Sequence, residues 1–132
     1  MRSEVSILVV DGELIMRSLL EKILRREGFE VHSVQDGSTA LEYLKQRPVN
    51  IVVTDMKMSP MDGLELVSCV KKQHPDIGVI IMTAYGDTYT VKDALLMGAD
   101  EYITKPFKSY EISLVVERAY WRLLSAANKV SP

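Results

Sequence analysis

The chain has 132 residues, 47% of them hydrophobic, with 16 Lys and Arg against 18 Asp and Glu for a formal net charge of −2. That length fits one ordinary domain, the near-neutral balance lacks the basic excess of a nucleic-acid-binding surface, and a single cysteine, Cys69, excludes an internal disulfide and fits a reducing compartment. No apolar run approaches the roughly 20 residues of a membrane span, and the stretch after Met1-Arg2-Ser3-Glu4 is too short for a signal peptide, so the expectation is a soluble cytoplasmic domain with no membrane attachment.

Val5 to Val10 is a compact β-branched run ending at Asp11-Gly12, the pattern of a strand buried on both faces. Ile15, Leu19, Leu20, Ile23 and Leu24 recur at helical spacing until Gly28 stops them. Phe29 to Val34 predicts a second strand, and its Glu30, His32 and Ser33 suit a sheet edge. Asp36 is the expected N-cap of a second helix with Ala40, Leu41 and Leu44 inward. Ile51 to Val53 predicts a third buried strand, which ends at Thr54-Asp55 and gives way to a loop from Met56 to Gly63. Leu64, Val67 and Val70 mark a third helix, and Ile77 to Met82 a fourth strand. Val91, Ala94 and Leu95 mark a fourth helix ended by Gly98, and Glu101 to Ile103 a short fifth strand. Ile112, Val115, Val116, Ala119 and Leu123 predict a long last helix from about Ser109 to Ala127. Five strand–helix alternations specify an α/β fold, a doubly wound five-stranded parallel sheet with five helices.

In such a sheet, ligands bind beyond the carboxyl ends of the strands, where the winding reverses. The residues expected there are Asp11, Gly12 and Glu13 after strand one, Asp55 after strand three, Thr83 and Ala84 after strand four, and Thr104, Lys105 and Pro106 after strand five. Carboxylates, a hydroxyl and a lysine on one rim suit a hard divalent cation beside a phosphoryl group. Each residue also has a plain structural reading: an Asp after a strand commonly caps a helix or a turn, Thr83 could satisfy a backbone group, and Lys105 could be solvated.

Four segments, ILVVDGE (Ile7 to Glu13), VVTDMKMSPMDG (Val52 to Gly63), IIMTAYGD (Ile80 to Asp87) and GADEYITKPF (Gly98 to Phe107), resemble the receiver domain of two-component response regulators in order and placement. The resemblance runs from residue 5 to about 120. It implies a flavodoxin- or chemotaxis-receiver-like strand order of 2-1-3-4-5, with a receiver over residues 1–122 and a helical extension or linker over 123–132. It implies a phosphorylation switch that is not a conventional enzyme, although such a domain can catalyse its own phosphorylation and dephosphorylation. Asp55 would accept a phosphoryl group from a sensor histidine kinase or phosphotransferase. Mg²⁺ would be held by Asp11, Asp55 and the backbone carbonyl of Lys57, with Glu13 able to join through water. Lys105 would pair with the phosphoryl group, Thr83 would turn toward it, and Tyr102 would follow between outward and inward rotamers, changing the surface of helix four, strand five and helix five. Lys57 and Tyr85 would tune phosphate lifetime, and the Lys105–Pro106 bond would be cis. Similarity to receivers of AAA+ transcriptional activators implies an output domain in a longer chain, and a homodimer through helix four, strand five and helix five.

The sequence departs from the family where a second adjacent acid follows strand one: Gly12 stands there. The expected consequence is weaker Mg²⁺ binding. A degenerate receiver that works without phosphate as a protein-binding module, and an engineered substitution, are the other readings. Pro60 stands one place later than the usual loop proline. Cys69 reads as a structural thiol, and His32 and His74 lack zinc-site spacing. Met56, Met58 and Met61 read as loop packing or as a docking patch. Tyr110, Tyr120 and Trp121 give the last helix more aromatic surface than a cover helix needs, which suits a dimer face or a lead into another domain. A flavin enzyme on the same scaffold would need a Gly/Ser/Thr-rich phosphate loop after strand one, which Asp11-Gly12-Glu13-Leu14 is not.

Overall fold

A computed structural model describes residues 2–84 and 91–130, with side-chain surroundings for 3–84 and 91–125. The elements alternate as β1 (Ser6–Val10), α1 (Leu14–Arg26), β2 (Glu30–Val34), α2 (Gly37–Gln46), β3 (Ile51–Asp55), α3 (Gly63–Gln73), β4 (Gly78–Ala84), α4 (Val91–Leu96), β5 (Glu101–Lys105) and α5 (Ser109–Val130), after a short 3₁₀ turn at Arg2–Glu4. The strands form one parallel sheet in the order β2-β1-β3-β4-β5. The doubly wound architecture and its strand order are as expected.

Each strand of the sheet centre is apolar on both faces because helices cover both. Ile7, Val9, Ile51, Val53, Ile80 and Met82 pack against Leu20 and Leu24 of α1 and Ile112, Val116 and Ala119 of α5. On the opposite face, Leu8, Val10, Val52, Val79 and Ile81 pack against Ala40 and Leu44 of α2, Val67 and Val70 of α3, and Ala94 of α4. Met56 is buried in this second core, and Met58 and Met61 pack against it, which matches the loop-packing reading. Cys69 is a free, half-buried thiol on α3.

Local signals set most helix ends. Asp36 caps α2 by accepting from the Thr39 N–H at 2.8 Å, as expected. Asp62 caps α3 in the same way through the Glu65 N–H at 2.9 Å, a start the loop reading of residues 56–63 missed. Gly28 and Gly98 follow α1 and α4 with φ of 98° and 108°, the left-handed backbone that favours glycine. β2 lies at the sheet edge as expected, and Arg25 of α1 donates to its Val31 carbonyl at 2.8 Å. At the other edge, buried Glu101 of β5 pairs with Arg118 and Arg122 at 2.8 and 2.9 Å and fastens α5.

Three expectations need correction. Ile15 and Leu19 do not face the core: Ile15 is 84% exposed and Leu19 44%. α1 carries apolar residues on both sides, so periodicity alone could not choose its inner face, and Leu20 and Leu24 are the buried pair. β4 and β5 each end two residues later than expected, so Thr83-Ala84 and Thr104-Lys105 belong to strands. Polar residues at a strand's carboxyl end look like loop when the ladder cannot be seen. α5 extends to Val130, past the expected end near Ala127.

Candidate functional site at the carboxyl rim

The winding reverses between β1 and β3, whose registers pair Val10 with Thr54. The next residue on each strand is an acid, so the reversal itself sets Asp11 beside Asp55. Asp11 is fully buried. Its Oδ1 accepts the Glu13 N–H at 2.8 Å, and its Oδ2 lies 3.0 Å from Lys105 Nζ. The same ammonium stands 3.3 Å from Asp55 Oδ1. Ninety-four residues apart in sequence, Asp11 and Lys105 meet because β5 ends on the same rim. Arg17, one turn into α1, donates to the Asp11 carbonyl at 2.6 Å and holds the β1–α1 turn. Sequence reasoning passed over Arg17; a cation in the first turn after the Asp11-Gly12-Glu13 segment was the available signal.

One lysine therefore serves two carboxylates. Burial raises the pKa of Asp55 above its ordinary 3.8; Lys105 pulls it back and Asp11 pushes it up, with burial and Asp11 prevailing over Lys105 and over hydrogen bonds that include the Lys57 N–H. Burial pulls Lys105 down, but its hydrogen bond to Asp11 and the charges of both acids more than offset that, leaving it above its ordinary 10.5. The rim thus keeps an excess of negative charge in a partly buried place.

Among the described residues, no three acidic, histidine or cysteine side chains converge as a metal cluster. Glu13 is exposed at the N-cap of α1 and meets Asp11 through its backbone. A Cβ built on Gly12 meets nothing within 4 Å, so space for a side chain remains there. Two carboxylates with an unbalanced charge, beside open space, fit a hard cation that keeps much of its water.

Thr83 is buried, and its Oγ1 lies 3.4 Å from the Ile103 carbonyl and 3.3 Å from Thr104 Oγ1, on the β5 side. Tyr102 is 41% exposed on the same strand. The Lys57 side chain is exposed. Tyr85, expected to tune phosphate lifetime, lies outside the described residues. The Lys105–Pro106 bond is cis as expected, and Ser59–Pro60 is cis as well.

The loop after Asp55 closes back on the strand through the Gly63 N–H, which donates to the Met56 carbonyl at 2.8 Å. A Cβ on Gly63 would stand 2.3 Å from the Asp55 carbonyl oxygen and 2.7 Å from Met56 Cα, both backbone atoms. Gly63→Ala is therefore expected to displace the Asp55 end of β3 and to lower stability by about 1–3 kcal/mol, the usual cost of overpacking. Urea denaturation checks this, and an unchanged midpoint would contradict it.

Comparison with known proteins agrees with this geometry. The family model described as response regulator receiver domain matches residues 7–117. The regulatory protein AtoC of Escherichia coli is 36% identical over 113 residues, 86% of this chain and 24% of AtoC. The DNA-binding transcriptional regulator NtrC of Proteus hauseri is 35% identical over 111 residues, 84% of this chain and 24% of NtrC. The crystal structure of the receiver domain of NtrX from Brucella abortus is 38% identical, with a TM-score of 0.81, covering 86% of this chain and 96% of that one. The chain spans about a quarter of the length of the curated relatives it matches.

Proposed function

The chain belongs to the response regulator receiver domain family of two-component systems, and from that premise we propose that it is a phosphoacceptor switch in which Asp55 takes a phosphoryl group from a sensor histidine kinase or phosphotransferase in the cytoplasm. The observation that carries this reading is the partly buried Asp11–Lys105–Asp55 arrangement, with one ammonium between two carboxylates. A carboxylate oxygen of Asp55 attacks phosphorus, the bond from phosphorus to the donor histidine nitrogen breaks, and the imidazole departs with the electron pair. Lys105 shifts from its carboxylate partners toward the phosphoryl oxygens.

Asp11, Asp55 and the Lys57 carbonyl would hold Mg²⁺, with Glu13 joining through water. When bound, the ion supplies neutralisation between the carboxylate and the incoming phosphoryl oxygens. Gly12 removes one carboxylate from that set, so binding is weaker than two adjacent acids would give. Exposed Leu14, Ile15 and Leu19 beside the rim form an apolar landing for the donor.

Thr83 then turns to donate to a phosphoryl oxygen, and Tyr102 moves inward, changing the surface of α4, β5 and α5. Lys57 and Tyr85, two residues beyond Asp55 and Thr83 in sequence, tune how long the phosphate survives. The outer side of α5 carries exposed Tyr110, Leu114 and Trp121, opposite buried Ile112, Val116 and Ala119. That stripe supports a homodimer through α4, β5 and α5, or a helical lead through residues 123–132 into an output domain of the AAA+ transcriptional kind.

The test is the response of backbone amide resonances to beryllofluoride with Mg²⁺. Shifts spreading from Asp55 to Thr83, Tyr102 and α5, and their loss in Asp55→Asn, are the expected result. A second reading rests on Gly12: a receiver working without phosphate as a protein-binding module. Wild-type protein that ignores beryllofluoride at high Mg²⁺, yet still binds its partner, would favour that reading over phosphorylation.

A further inference from the structure

We propose that Thr104 is a positioning residue that holds the Thr83 hydroxyl against β5 in the unphosphorylated domain, so that reorienting Thr83 requires breaking a side-chain contact specific to this strand pair. This deepens the phosphoacceptor reading and rests on it where the consequence for phosphoryl binding is concerned.

Thr83 and Thr104 are register partners across β4 and β5. Their Oγ1 atoms stand 3.3 Å apart, and Thr83 Oγ1 is also 3.4 Å from the Ile103 carbonyl. A carbonyl can only accept, so Thr83 gives its proton to Ile103 and the Thr104 hydroxyl is free to donate to Thr83. Thr83 is buried, where a hydroxyl without partners is costly. Its off position is therefore a satisfied one, and Thr104 supplies half of the satisfaction. Both contacts are longer than the usual 2.5–3.0 Å of a strong O–H···O bond, so each is weak. Weak partners suit a hydroxyl that has to leave. Thr104 also shares a face of β5 with Tyr102, two residues back, while Ile103 between them is buried on the other face. One side chain thus sits beside both moving parts; its place on the rim was legible in the sequence, its pairing with Thr83 was not.

Thr104→Val keeps the shape and removes the hydroxyl, whereas Thr104→Ser keeps the hydroxyl. The direct measurement is the χ1 of Thr83, from three-bond couplings to its methyl carbon in ligand-free protein. Wild type and Thr104→Ser are expected to show one dominant rotamer, and Thr104→Val an averaged one. A purely structural Thr104 would leave that rotamer unchanged, and unchanged couplings in Thr104→Val overturn the proposal. As the consequence, Thr104→Val is expected to bind beryllofluoride with Mg²⁺ about two- to fivefold more tightly, the scale of one cross-strand threonine pair. Averaged couplings without tighter binding would overturn the gating role. Failure of wild type itself to bind beryllofluoride would overturn the phosphoacceptor reading instead, a separate result because the couplings need no ligand.

Discussion

Lys105→Met is expected to destabilise the folded domain by about 3 kcal/mol at neutral pH, the scale for removing one partner from a buried ion pair. Lys105 is the shared counter-ion of Asp11, which is fully buried, and Asp55, which is partly buried. Without it two negative charges stand side by side with no cation, and the methionine stem replaces only the packing. The sign of the pH dependence follows from the raised pKa values. Asp55 sits above its ordinary 3.8 in the folded state, so its favourable contribution is complete below that value and lost as pH rises through the folded one. Lys105 sits above 10.5, so its contribution persists up to that value and is lost as pH rises through its folded one. Removing Lys105 takes away the charge that holds Asp55 down and pushes that carboxyl further up. The deficit of Lys105→Met should therefore be largest near neutrality and shrink toward pH 4, and the variant should lack the alkaline loss expected of wild type. Urea midpoints measured across pH check this; a deficit independent of pH between acid and neutral conditions would contradict it.

Gly12→Asp is expected to tighten Mg²⁺ binding at least about tenfold, since even indirect ligand-supporting groups are commonly worth 10–100-fold in metal affinity. The backbone accepts the change because a Cβ there meets nothing within 4 Å. The added carboxylate raises the negative charge beside Asp11 and Asp55, so the variant should be less stable than wild type without Mg²⁺ and should gain more from the ion. Calorimetric titration and thermal unfolding with and without Mg²⁺ read the two effects. Equal affinities in Gly12→Asp and wild type would show that the missing acid does not limit metal binding.

The sheet was legible because its central strands are apolar, largely β-branched runs bounded by turn residues, and the alternation leaves few ways to connect them. The rim was legible for the same reason: in a parallel sheet every strand delivers its carboxyl end to one side, so Asp11, Asp55, Thr83 and Lys105 could be grouped without knowing any distance. What stayed hidden depends on contacts between strands or on direction within a helix. Thr104 looks like an ordinary β-former until the register sets it opposite Thr83. Gly63 looks like a loop glycine until the Asp55 carbonyl is found where its side chain would be. The exposure of Ile15 and Leu19 depends on which side of α1 meets the sheet, and both sides are apolar. Asp55 ends above its ordinary value although Lys105 lowers it, because burial, with the charge of Asp11 added, outweighs that pull. A simple pairing of Lys105 with Asp55 would have suggested the opposite sign.

The central claim is that Asp55 accepts phosphoryl groups despite the missing acid at position 12. Intact-mass measurement after incubation with acetyl phosphate tests it most directly. The expected result is a single phosphoryl adduct that grows with Mg²⁺ concentration, forms faster in Gly12→Asp, and is absent in Asp55→Asn. An adduct that persists in Asp55→Asn, or none in wild type at Mg²⁺ concentrations that saturate Gly12→Asp, would contradict it.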